Sequence, residues 1–426
     1  MKECVGYLLQ YLNLRHMKRQ GLSVPPEIEG QVGLELLKKT RDYEEDKTRF
    51  SFISSLSGNG VTVLFLFGGL LNAYNSWIVS LQWSFIFSGL VFFLLLSYAG
   101  SFLSIPFSLY STFSIEKKYG FNTMTPRLWI SDFLKSLLLS TVLSAALISA
   151  GLWMIQLSPE HWWIWVWGFF LVFSLFIMYI SPYVIEPLFN KFTPIDEAGL
   201  EDRIREMMAR VNIKVSSVFK MDASRRSRHT NAYFSGIGKV KRIILYDTLL
   251  ENMNQEEILA VLAHEAGHWK RRHILKMIVM AEIISFIGIY FSFRVLRSDF
   301  LTQLFMVEQG TLFAKVLVLG FMASILAFPF TPLGSYISRR FEKEADRFSF
   351  QLTGNREAMA SALIKLSKDN LSNLHPHPVY AAFYYSHPPV VERIRNIRKG
   401  ALKGHSPSGV LKKTHGDTDG SDGLPK

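Results

Sequence analysis

The sequence predicts an α-helical integral membrane protein with six to seven transmembrane helices and a polar, mainly helical region carrying a small β-sheet. Three observations carry that prediction. Only 19% of the 426 residues are charged and 49% are hydrophobic, whereas about a quarter of a soluble chain is charged. The apolar residues gather into runs of about 20, the length that crosses the hydrocarbon of a bilayer. The polar stretches between those runs carry helical and strand periodicities of their own.

The elements follow in chain order. The segment Val5 to Leu14 is apolar but short, and is expected as a truncated first span or an interfacial helix. It has no small-residue cleavage site and does not read as a signal peptide. The polar stretch Arg15 to Arg49 includes Pro25-Pro26 and a helical segment from Glu35 to Lys47. Four long apolar runs follow, Val61 to Leu81, Phe85 to Ile105, Phe133 to Ile155 and Trp163 to Ile185. Trp77, Trp83, Trp162 and Trp163 stand near their ends, where interfacial aromatics sit. The polar region beginning at Asn190 predicts a helix over Glu201 to Val211 and strands over Val215 to Met221 and Arg242 to Tyr246. Asn254 with Glu257 is an N-cap followed by a capping glutamate. Two further runs span Ile274 to Leu296 and Leu312 to Leu333. The boundaries expected are 1–60, 61–189, 190–273, 274–334, 335–401 and a disordered tail over 402–426.

The net charge of +12 is concentrated in Arg15–Arg49, Pro106–Asp132, Asn190–Arg272 and the C-terminal region, all on one side of the spans. The positive-inside bias puts that side in the cytoplasm. No basic stripe interleaved with aromatics points to nucleic acid. The single cysteine, Cys4, excludes an intrachain disulfide and a cysteine-based zinc site.

The chemistry lies in Ala263-His264-Glu265-Ala266-Gly267-His268, an H-E-x-x-H on a helix. Residues four apart share a face, so His264 and His268 can aim two imidazoles at one zinc ion. A three-ligand zinc site leaves a fourth position for water and lowers its pKa toward neutrality. Glu265 lies one step round the helix, placed to act as the base. The third ligand is sought in Phe341-Glu342-Lys343-Glu344-Ala345-Asp346. Glu342 and Asp346 share a face, which suits one carboxylate on zinc and one orienting a zinc-bound histidine. Glu344 is rotated by roughly 200° from Glu342 and is expected to have little to do with the metal.

H-E-x-x-H followed by R-R-F-E-x-x-A-D resembles the integral-membrane gluzincins, and within them the type I CAAX prenyl endopeptidases, the a-factor-converting enzymes. The likeness extends to Tyr119-Gly120-Phe121-Asn122, to Thr230–Gly236, to Lys241–Leu250 and to His387-Pro388-Pro389-Val390-Val391-Glu392-Arg393, and covers the chain from about Tyr11 to Arg398. The resemblance implies membrane helices around a water-filled chamber, with one zinc ion held by His264, His268 and Glu342, and Glu265 as base. It implies that His387 stabilises the oxyanion. It implies an edge strand at Asn231, Ala232, Tyr233 and Phe234 along which substrate lies extended, a mode that reads backbone more than sequence. Arg393 either pairs with a buried carboxylate or joins this substrate-binding set.

The implied partners are membrane lipid and peptide or protein substrates, C-terminally prenylated ones among them. The short connection Arg297 to Thr311 and a tail without an ER-retrieval signal fit a bacterial inner-membrane member; a eukaryotic one would sit in the endoplasmic reticulum. The alternatives are a broad quality-control protease, a protease cutting inside the bilayer, and a non-proteolytic zinc scaffold. Trp269-Lys270-Arg271-Arg272 puts the motif at the membrane edge, against intramembrane cutting. A closed structural zinc site would need a fourth protein ligand and no Glu265. His273 reads as interfacial, and His375 and His377 as loop residues.

Overall fold

The computed structural model of the protein describes residues 2–197, 199–236, 240–298, 300–305 and 309–399. Among the described residues, six helical stretches are long and apolar enough to cross a membrane: Leu34–Phe67, Phe85–Glu116, Pro126–Leu157, Trp162–Phe189, His273–Leu296 and Leu312–Thr353.

Helix α1 (Lys2–Gln20) is not one of them. It buries Leu9, Asn13 and Met17 and packs on the first span. Helix α2 (Leu34–Phe67) runs unbroken from the polar stretch into the first apolar run, so the boundary expected at residue 60 falls inside it. That run does not form one straight helix. It breaks at Gly68-Gly69, where Gly69 takes φ +81°, and resumes as α3 (Leu70–Ser80). Glycine permits this left-handed conformation without a Cβ clash. Helix α4 (Phe85–Tyr110) continues through a π-helical stretch to Glu116. Helix α5 (Pro126–Leu157) is opened by the Thr125 side chain, which accepts the Leu128 N–H. Helix α6 (Trp162–Ile180) likewise continues through a π-helical stretch into α7 (Glu186–Phe189).

The polar region then supplies β1 (Phe192–Pro194), α8 (Leu200–Ala209), β2 (Lys214–Met221), β3 (Ala232–Ser235), β4 (Val240–Tyr246), α9 (Asp247–Asn252) and α10 (Gln255–Lys270). The strands lie in the order β1-β2-β4-β3, with β2 and β4 parallel and both outer pairs antiparallel. β3 is therefore an edge strand. Ile243 and Leu245 of β4 bury one face of the sheet in the same cluster as Ala263 and Ala266 of α10. Ile244 packs on the opposite face with Met221, the alternation a strand imposes.

Helices α11 (His273–Leu296), α12 (Phe300–Leu304), α13 (Leu312–Ala327) and α14 (Thr331–Thr353) follow. The last apolar run is mostly α13, which a 3-10 turn at Phe328–Phe330 joins to α14; α14 then passes without a break into the polar segment with Glu342, so the boundary expected between 334 and 335 falls within one helix. The chain closes with α15 (Arg356–Asp369), α16 (Pro378–Tyr384) and α17 (Val390–Arg398). The disordered tail expected over 402–426 lies outside the described residues.

The spans form a ring, because α4 touches α5, α5 touches α6, α6 touches α11, α11 touches α13, and α13 touches α4. Its walls are thin. None of the most apolar window of 162–189 or of 273–296 is buried within the protein, whereas a filled bundle would bury an inward stripe. One end of the ring joins the polar region: Arg226 pairs with Asp132 at the start of α5, and the Tyr233 hydroxyl donates to Glu186 beyond α6. The opposite end of the ring holds its own apolar cluster, which includes Leu71, Ile78, Phe92, Phe293 and Phe313. There the buried Asn75 of α3 donates to the Gln309 carbonyl.

Candidate active site

Two helices build the site. α10 starts with a full capping box, the Asn254 side chain accepting the Glu257 N–H and the Glu257 carboxylate accepting the Asn254 N–H. The helix phase set there fixes which face carries the motif. That face is narrow. A Cβ on Gly267 would come within 3.0 Å of the Ala345 Cα and 3.1 Å of the Phe348 Cβ, so α10 and α14 approach closely because residue 267 is glycine. Ala263, Ala266 and Ala345 are fully buried nearby, and the Ser349 hydroxyl donates to the Ala260 carbonyl across the contact.

The close approach sets His264 and His268 opposite Glu342 and Asp346. The ligand-type atoms of His264, His268 and Glu342 all lie within 4.8 Å of one another. Both histidines turn Nε2 inward, 3.2 Å apart, and each Nε2 stands 3.2 Å from a Glu342 oxygen. His264 faces Asp346 with its other nitrogen, Nδ1, at 2.8 Å. That contact holds the ring proton on Nδ1 and leaves the Nε2 lone pair pointing inward. Glu342 Oε2 is buried and has no hydrogen-bond partner. Ring nitrogens and a carboxylate oxygen that converge in this way repel one another unless a proton or a metal cation lies between them. Two imidazoles and one carboxylate are a metal-binding donor set, so the residues present fit a divalent ion.

The surroundings are strongly charged and mostly dry. Burial alone would lower the His264 pKa, but Asp346 and Glu342 outweigh it and raise it to about 9. Burial pushes Glu265 above the usual carboxylate range, against the opposing pull of His264 and His268. His387 reaches the rim, with Nε2 3.3 Å from Glu342 Oε1 and 60% of its side chain exposed.

Arg393 corrects its expected place in the substrate-binding set. It is 8% exposed, and its Nε and Nη2 donate to the two Asp346 oxygens at 3.0 and 2.6 Å. A buried guanidinium needs such a fixed carboxylate, so the paired reading holds and Arg393 steadies the residue behind His264. At β3 the Ala232 side chain is in the core and the Tyr233 hydroxyl is bonded to Glu186, which leaves the backbone of the strand as its free feature. The exposed Asn231 precedes the strand, its side chain accepting the Ala232 N–H. His375 Nε2 donates to the Ser23 carbonyl, and the His377 N–H donates to the Asn13 side chain of α1, so both tie their loop to the N-terminal segment.

His273 is the first residue of the span α11, as its interfacial reading expects, but it faces inward. It has no exposed surface, stands 3.2 Å from His268 Nδ1, and contacts Glu344 at 3.1 Å through Nε2. The signal available in the sequence was a third histidine five residues beyond the motif. Its significance depends on the turn at Arg272, which takes φ +55° and folds α11 back over the end of α10.

The ring of spans and this convergence put the chain among membrane-embedded metallopeptidases. Residues 13–191 match the family model described as CAAX prenyl protease N-terminal, five membrane helices, and residues 194–401 match that of peptidase family M48. The chain belongs to the M48 family and is a multi-pass membrane metalloendopeptidase acting on peptide or protein substrates. It is 34% identical over 430 residues to the CAAX prenyl protease 1 homolog of Arabidopsis thaliana, covering 93% of this chain and 97% of that one. It is 32% identical over 413 residues to CAAX prenyl protease 1 of Saccharomyces cerevisiae, covering 90% of each. The crystal structure of S. mikatae Ste24p superimposes with a TM-score of 0.86 at 29% identity, covering 93% of this chain and 97% of that one.

Proposed function

We propose that the protein is a zinc endopeptidase that cleaves extended segments of C-terminally prenylated proteins from within a water-filled chamber. The observation that carries this is the convergence of His264, His268 and Glu342 beside Glu265, on a helix packed against an edge strand. The His-His-carboxylate set suits zinc, with one ion per chain. Bound there, zinc supplies Lewis-acid polarisation of the scissile carbonyl and acidifies a water. Glu265 removes the proton from the attacking water and carries it to the leaving amine, a task suited to a carboxyl that burial has raised toward neutrality. His387 donates to the carbonyl oxygen as it gains negative charge. Asp346, steadied by Arg393, fixes the tautomer of His264. The free edge of β3 accepts substrate backbone as an added strand, from Asn231 through Phe234.

The names of the relatives support a prenylated substrate, and a ring whose walls face the bilayer offers a prenyl chain and membrane lipid a common phase. The Lys and Arg excess of the connections on the polar side supports a cytoplasmic position for the catalytic region.

The test is cleavage of a farnesylated C-terminal CAAX peptide by the purified protein, with products read by mass spectrometry. Cleavage that stops on chelation and returns with zinc is expected. Equal cleavage of the unprenylated peptide would replace the prenyl-specific reading with a broad protease that reads backbone alone. No cleavage of either would overturn the proposal.

A further inference from the structure

We propose that His273 and Glu344 form a positioning relay for His268, the counterpart of what Asp346 does for His264. The inference rests on the reading of His268 as a metal ligand and adds two residues that this reading does not contain.

The proton inventory leads to it. His268 turns Nε2 toward Glu342 and His264. For that nitrogen to offer a lone pair to a metal, the neutral ring must carry its proton on Nδ1. The atom facing Nδ1 is His273 Nδ1, 3.2 Å away. Two ring nitrogens can share one proton and no more, so His273 Nδ1 accepts, and its own proton sits on Nε2. Nε2 points at Glu344 Oε2, 3.1 Å away. A carboxylate is an acceptor only, so the chain closes with no donor or acceptor left over. Each assignment forces the next: Glu344 accepts from His273, His273 accepts from His268, and His268 offers Nε2.

The surroundings hold this arrangement rigid. His273 is fully buried. A buried imidazole with no partners would be costly, and the only polar contacts described for its ring are these two. The Phe341 ring stacks on it at 4.3 Å between centroids and 8° between planes, which restricts ring rotation. Phe341 and Glu344 both belong to α14, the helix that carries Glu342, so one helix supplies a ligand and buttresses the opposing histidine. The left-handed residue Arg272, φ +55°, makes the turn that brings His273 back over His268. That conformation is sparse for a residue with a side chain and persists where the surrounding structure requires it.

The expected role is geometric. Removing a partner that orients a metal-bound histidine costs about 10–100-fold in metal affinity. The experiment uses the full chain in detergent with cobalt in place of zinc. Cobalt affinity is read by chelator competition, ligand geometry by the visible absorption of the ion, and fold by the melting temperature of the metal-free protein. His273→Phe preserves the stack on Phe341 and removes both ring nitrogens. Glu344→Ala removes only the terminal acceptor, at a residue that is partly exposed.

Both variants are expected to bind cobalt about 10–100-fold more weakly, with altered absorption, in samples whose metal-free melting transition stays cooperative even where the loss of a buried partner lowers its midpoint. The double variant should be no worse than His273→Phe alone, because Glu344 acts only through His273. Additive losses, or wild-type affinity and spectrum in both variants, would overturn the relay while leaving the metal site intact. If His273→Phe fails to fold, Glu344→Ala decides by the same affinity and spectrum. A wild-type protein that takes up no cobalt would overturn the metal site and the relay together.

Discussion

At the scale of single residues, the site separates groups that hold the metal from groups that do the chemistry. Glu265 is outside the converging set of His264, His268 and Glu342. Glu265→Gln is therefore expected to retain metal while turnover falls by about 10²–10⁴; metal content and peptidase rate on the same sample check it. Arg393 and Asp346 form a buried ion pair, 9% and 6% exposed at the side chains. Arg393→Met removes the guanidinium from buried Asp346 and leaves the His264 Nδ1 contact as its remaining partner, so a fall in melting temperature is expected, smaller than the about 3–5 kcal/mol of a wholly unpaired buried charge. The rotation of an ideal helix correctly turns Glu344 away from Glu342, but the same rotation aims it at His273. Helix periodicity made His264, His268, Glu342 and Asp346 legible because their relations lie within single helices. The pairs Arg393–Asp346 and His273–Glu344 join separate elements, and no spacing in the sequence encodes them.

At the scale of elements, α10 is fixed at both ends by features of different legibility. Its capping box was readable from Asn254 and Glu257. The sequence did not reveal that Glu257 also accepts from Ser361 and Lys365 of α15, which ties the start of the motif helix to the C-terminal region. Burial pushes Glu257 up, but the bonds from Lys365, Ser361 and the Asn254 N–H outweigh it and hold its pKa below the ordinary value. A depressed carboxyl contributes stability that is complete above the unfolded pKa of about 4.3 and fades as pH falls through the folded value. The melting-temperature gap between wild type and Glu257→Gln is therefore expected to be widest near neutral pH and to narrow on acidification below that range. At the other end, Gly267 permits the contact with Ala345 and Phe348. Gly267→Val forces α10 and α14 apart, and metal affinity should fall even though every ligand remains. The spans themselves were legible from length and hydropathy. Their breaks were not: the bend at Gly68-Gly69 and the unbroken passage of α14 across the expected boundary are set by what each helix end packs against.

At the scale of the whole molecule, the connections of one sign lie at one end of the ring. A Cys4→Ser protein carrying Glu160→Cys, in the connection after α5, should be labelled from outside intact cells. The same background with Glu251→Cys, in α9, should be labelled only after the cells are opened; the reverse pattern would invert the topology. The apolar cluster at the far end of the ring has a consequence of an electrical kind. A hollow protein set across an energised membrane is a shunt unless one end is insulated, since each elementary charge crossing 100 mV dissipates about 2.3 kcal/mol. Phe92 is fully buried and packs in tilted and edge-on contacts with Tyr74, Phe93 and Phe313, which puts it at the centre of the cluster. Vesicles containing the wild-type protein should hold an ion gradient, and vesicles containing Phe92→Ala should lose it faster. Side chains with no part in the chemistry would then resist ion leak through whichever membrane holds the protein.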